Sequence, residues 1–88
     1  MNIEFAHVRI GNSSVAIFNA DATNRTALGR QEVLADLTAR ARLSNLRVDR
    51  SALVFMENGR RTFFGDADLI RYLGRHFIAL QWTHRLTV

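Results

Sequence analysis

The 88-residue chain contains no cysteine, no proline and no lysine. Without cysteine there is no disulfide framework, no thiolate zinc site and no cysteine nucleophile. Without proline, and with no low-complexity stretch, nothing marks a linker, so residues 1–88 read as one domain. No apolar run approaches the roughly 18 residues of a membrane span. The first residues carry Glu4, His7 and Arg9 and lack the basic-then-apolar order of a secretory signal, so a reduced, cytoplasmic setting is expected. What is present is ordinary for a globular domain: 48% apolar and 23% charged residues, which excludes a disordered tail.

The missing lysine makes all twelve basic residues arginine, for a net charge of +4. Guanidinium is a planar fork of donors that grips phosphate or carboxylate bidentately, where ammonium is a point charge. A GC-rich coding sequence also favours arginine, so the absence of lysine does not by itself define a function. The distribution says more. Residues 1–36 hold three arginines against four carboxylates, whereas residues 37–88 hold nine against four. Arg40, Arg42, Arg47 and Arg50 form one cluster, opposed only by Asp49, and Arg60 and Arg61 form another. Clustered arginines in a basic domain are the usual footprint of a nucleic-acid or acidic-protein partner, although net charge also serves solubility.

Along the chain, Ile3–Ile10 and Val15–Phe18 read as strands around the turn cluster Gly11-Asn12-Ser13-Ser14. A two-residue loop at Asn12-Ser13 would pair Ile10 with Val15 and Val8 with Ile17, and set His7 beside Phe18. A helix is expected from about Leu28 to Ser44, capped by Thr26, with Val33, Leu34, Leu37 and Ala41 as its buried stripe. Asn58-Gly59 between Ala52–Glu57 and Arg60–Phe64 specifies a type I′ hairpin, with Glu57 facing Arg60, Val54 facing Phe63 and Leu53 facing Phe64. Leu53-Val54-Phe55-Met56 is apolar on both faces, as a central strand covered on both sides would be. Asp66–His76 reads as a second helix, capped by Asp66, with Leu69, Ile70, Leu73 and Phe77 as its stripe. Residues 78–88 alternate as one long antiparallel strand, with Ile78, Leu80, Trp82, Leu86 and Val88 on the buried face. The expected fold is α+β: a mainly antiparallel sheet of about five strands, two helices packed on one face, order ββα-ββα-β.

Candidate chemistry is sparse. His7, His76 and His84 have no metal-binding spacing, and no nucleophile or acid is placed beside them. Asp66-Ala67-Asp68 resembles a two-carboxylate metal motif but falls where a helix begins, which favours capping. There is no G-x-S-x-G elbow, dinucleotide fingerprint or phosphate loop. The phenylalanines alternate with other apolar positions, as core residues do, rather than forming a base-stacking platform. Arg60 and Arg61 at a hairpin tip suit a β-ribbon entering a major groove, or simply a solvated tip with Glu57 and Arg60 as a cross-strand pair. Arg40, Arg42, Arg47 and Arg50 suit phosphate tracking, or dipole pairing and solvation.

The expectation is therefore a non-catalytic binding protein without metal or cofactor. Its candidate binding residues are Arg40, Arg42, Arg47, Arg50, Arg60 and Arg61. The partner would be an acidic protein, a nucleoprotein complex or nucleic acid, with no membrane. Small size and the lack of a catalytic set suit a phage- or plasmid-encoded inhibitor of the anti-CRISPR kind, an analogy with no motif behind it. Two alternatives are direct DNA binding and a homodimer or interaction domain joined through the 78–88 strand as a sheet edge.

Overall fold

The computed structural model describes residues 2–20 and 29–87. Strands β1 (Asn2–Ile10) and β2 (Ser13–Ala20) lead to helix α1 (Arg30–Leu43). The hairpin β3 (Arg50–Glu57) and β4 (Arg60–Phe64) leads to helix α2 (Ala67–His76). A 3₁₀ turn (Phe77–Ala79) and strand β5 (His84–Thr87) follow. The described strands form one sheet in the order β4-β3-β2-β1-β5. The α+β class and the order of elements match the sequence reading. All neighbours are antiparallel except β2 and β3, which run parallel and require the crossover that carries α1.

The two helices do not share a face, contrary to the expectation. Leu37 and Ala41 of α1 pack with Phe5, Ala16, Phe18, Leu53 and Phe55. Leu69 and Leu73 of α2 pack with Val15, Ile17, Ala52 and Val54. Along β2 and β3 these sets alternate, so they point to opposite sides of the sheet. Val15 to Phe18 and Ala52 to Phe55 are buried at every position, and strands apolar on both faces need a cover on each.

Local chemistry explains the element ends. Asn58 (φ 51°) and Gly59 (φ 77°) both take the left-handed region a type I′ turn demands, and the β3–β4 register is the expected one. The first hairpin differs by two residues. Its loop is Gly11-Asn12, with Gly11 leading at φ 60°, so Ile10 faces Ser13, Val8 faces Val15 and His7 faces Ala16. Helix α1 starts after Gly29 without a side-chain cap, and the proposed cap Thr26 lies outside the described residues. It ends in a Schellman arrangement. Asn45 takes φ 62°, its N–H donates to the Arg42 carbonyl, and the Leu46 N–H donates to that of Ala41. Helix α2 is capped as expected, the Asp66 carboxylate accepting from the Leu69 N–H at 2.9 Å. Ile70, placed on its buried stripe by spacing, is exposed.

The last segment is not one long strand. Ile78 lies in the 3₁₀ turn and is 91% exposed. Leu80 and Trp82 pack on the α2 side of the sheet, whereas Leu86 joins the α1-side core. Only His84–Thr87 pair, with β1.

Candidate functional site

The parallel run of β2 and β3 fixes which end of the sheet each arginine occupies. Arg50 begins β3 and the Asn58-Gly59 turn follows its end, so the clusters at 40–50 and at 60–61 sit at opposite ends. The seven steps along β3 from Arg50 to Glu57, the register partner of Arg60, span about 23 Å at the usual rise of ~3.3 Å per residue. The six candidate arginines therefore do not make one surface.

Most of the first cluster is committed internally. Arg40 pairs with Asp36 at 3.0 Å, one helical turn away. Arg42 donates from Nε and Nη2 to the Val48 carbonyl, at 3.3 and 2.9 Å, and so ties the end of α1 to the loop after it. Arg50 reaches Asp66 with Nε at 2.9 Å and approaches Asp68 at 3.7 Å, binding the start of β3 to the cap of α2. Its side chain is 27% exposed. The hydrogen bond from Arg50 and that from the Leu69 N–H hold the Asp66 carboxyl below the ordinary carboxylate range. Arg47 is 76% exposed and touches Asp49 at 3.4 Å. Asp49 is also held low, chiefly by the Ser14 N–H and then by Arg47, against the opposing effect of burial. Asp49 and Ser14 exchange two bonds, since the Asp49 N–H also donates to the Ser14 carbonyl at 2.8 Å.

The hairpin tip is different. The sequence offers Glu57 as the cross-strand partner of Arg60, and the two are register partners. The Glu57 carboxylate is nevertheless taken by Arg30 of α1, whose Nη2 donates at 2.9 and 3.1 Å, and by the Thr62 hydroxyl at 3.3 Å. Arg60, Arg61 and Arg75 form no ion pair among the described residues. All three line one groove between the tip of the β3–β4 hairpin and the C-terminal end of α2. Its apolar wall is Met56 (49% exposed), Phe77 and Ile78. The Arg61 guanidinium lies over this wall, its central carbon 4.3 Å from the centre of the Phe77 ring. The tip therefore leans on α2 rather than standing free as a ribbon. The groove holds about 520 Å³ and is open to solvent, which suits a partner's protruding side chains better than an engulfed small ligand.

Arg60 and Arg61 stand out in the sequence as a pair at a hairpin tip; Arg75 does not, being one basic residue in the last turn of a helix, where the dipole alone accounts for it. Met56 and Ile78 were read as core. No local pattern brings residues 56–61 to residues 74–78; only the packing of α2 under the hairpin does.

The histidines are dispersed. His7 donates from Nε2 to the Arg47 carbonyl at 2.8 Å, His76 lies against Tyr72, and His84 stacks on Phe5 and hydrogen-bonds Thr83. Among the described residues no three His, Asp or Glu side chains converge as a ligand set. No helix among them is long and apolar enough to cross a membrane. Comparison with protein-family models, with curated proteins and with solved structures finds no match to the chain.

Proposed function

We propose that the chain is a small non-catalytic binding protein that engages an anionic macromolecular partner through the groove of Arg60, Arg61 and Arg75. The observation that supports this is the diversion of Glu57 to Arg30, which leaves three converging arginines without a carboxylate among the described residues. Guanidinium groups beside exposed apolar side chains have the composition of an interface centre. An inhibitor of a nucleic-acid-handling complex, of the anti-CRISPR kind and acting in the cytoplasm, is the concrete form of the proposal. Of the original six residues, Arg60 and Arg61 carry it and Arg47 is an exposed second site. Arg40, Arg42 and Arg50 are better explained by the internal bonds they make.

The test is binding to duplex DNA, single-stranded DNA and polyglutamate across a salt series, with wild type and with Arg60→Glu/Arg61→Glu/Arg75→Glu. The proposal expects at least one probe to bind in a salt-sensitive way and the reversal to abolish that binding while the circular dichroism spectrum stays unchanged. Unchanged binding by the reversed protein, or no binding to any probe at low salt, would overturn it.

A homodimer through the sheet edge is the second reading, favoured by the outermost position of β5. The strand there spans only His84–Thr87, shorter than the 78–88 segment first expected. A monomer in sedimentation whose binding survives Arg85→Pro would exclude it.

A further inference from the structure

We infer that the groove's occupant is an acidic protein segment carrying an apolar side chain, and that nucleic acid is not its ligand. This deepens the proposed function and rests on it. Three observations point the same way. The basic groove is also apolar: Ile78 is 91% exposed and Met56 49%, and they line it together with the three arginines. Phosphates are contacted through charged and polar groups, so a surface that tracks a phosphate backbone has no use for two exposed aliphatic side chains beside its arginines. An acidic segment bearing leucine or phenylalanine supplies both halves of the match, carboxylates for the guanidinium forks and an apolar group for Met56 and Ile78.

The second observation is Arg61. Its stacking on Phe77 holds the guanidinium at the groove wall before any partner arrives, which lowers the ordering cost of binding. The third is Gly74, inside α2 and lining the groove. A Cβ built there meets nothing within 4 Å, so no packing inside the described fold demands glycine. The missing side chain leaves room in the groove lining for one from a partner.

The experiment uses three labelled probes and fluorescence anisotropy at one fixed salt concentration. The first is the peptide Glu-Asp-Glu-Leu-Phe-Glu-Asp-Glu. The second replaces its Leu-Phe with Ser-Ser, and the third is a DNA duplex. The expected result is that the Leu-Phe peptide binds about tenfold or more tightly than the Ser-Ser peptide, a difference of about 1.4 kcal/mol. Met56→Ser/Ile78→Ser should erase that preference, and Leu43→Ser, at another exposed apolar side chain (85%), should leave it intact. Both target side chains are exposed, so these variants keep the fold, which a thermal melt verifies. Equal binding of the two peptides, or a preference insensitive to Met56→Ser/Ile78→Ser, would overturn the inference while leaving the arginine surface standing. Binding of duplex in preference to both peptides would overturn it in favour of nucleic acid. If none of the three probes binds, this inference and the proposed function fall together.

Discussion

The guanidinium of Arg61 lies over the ring of Phe77, its central carbon 4.3 Å from the ring centre. One partner comes from the β3–β4 hairpin and the other from the turn after α2, so the contact closes the groove wall. Lysine at position 61 would keep the charge but lose the flat stacking face and the fork. Arg61→Lys should cost less than about 0.5–1 kcal/mol of stability, the full worth of an exposed cation–π contact, since an ammonium keeps part of it. It should nevertheless weaken binding of the Leu-Phe acidic peptide severalfold. Urea unfolding and anisotropy on the same samples check both.

Arg50 and Asp66 form the main ionic link between β3 and α2. Asp66 also caps the helix, so Asp66→Ala removes two bonds at once and should cost about 1–3 kcal/mol in urea unfolding. Asp66→Asn keeps a capping oxygen and should cost less. Arg50→Glu should destabilise the fold, because it sets a third carboxylate beside Asp66 and Asp68. Lost binding in that variant would report unfolding; Arg60→Glu/Arg61→Glu/Arg75→Glu breaks no ion pair among the described residues, and its smaller costs, a glutamate opposite Glu57 and the lost Arg61–Phe77 contact, are read from the same urea unfolding.

Stability should decline in acid for an identifiable reason. Asp66 is held low first by Arg50, and Asp49 first by the Ser14 N–H. In the unfolded chain both return to about 3.9. A folded carboxylate with a depressed pKa binds fewer protons than its unfolded counterpart, so its contribution is complete above the unfolded value and is lost as pH falls through the folded one. From this source the melting temperature should be level from about pH 8 to 5 and fall below about pH 4. Asp49→Asn/Asp66→Asn should be less stable at neutral pH and show a shallower acid decline. A wild-type slope unchanged by that double substitution would show that other carboxylates govern it.

Gly74 gives two opposed outcomes at one position. Glycine inside a helix costs about 0.5–1 kcal/mol relative to alanine, and nothing stands within 4 Å of an added Cβ. Gly74→Ala should therefore raise the melting temperature. Gly74→Leu should also fold, but its side chain would occupy the groove and reduce peptide binding about tenfold.

How far the fold could be read depended on whether local chemistry left one solution. Asn58-Gly59 permits one turn, so the β3–β4 register was legible to the residue. Gly11-Asn12-Ser13-Ser14 permits two two-residue loops, Gly11-Asn12 and Asn12-Ser13. They differ by two in register and place every side chain on the same face, so hydrophobic patterning could not separate them. The strand pattern did contain the warning against helices on one face, since Val15–Phe18 and Leu53–Met56 are both unbroken apolar runs. The alternation over 78–88 was misleading because α2 runs on into a 3₁₀ turn, which lifts Ile78 out of the core. In the candidate site, the arginines of the hairpin tip were visible locally. Arg75, Met56 and Ile78 were not, because their proximity depends on a helix folding back under the hairpin. The diversion of Glu57 to Arg30 was likewise hidden, joining residues 27 positions apart.

The most direct measurement is an NMR shift map of the isotope-labelled chain titrated with the Leu-Phe acidic peptide. The account predicts that the Met56 and Ile78 methyl signals and the Arg60, Arg61, Gly74 and Arg75 amides move together and saturate, while Leu43 and the β5 amides stay still. Shifts centred on His84–Thr87 or on the Arg47 loop, with Met56 and Ile78 unmoved, would contradict it.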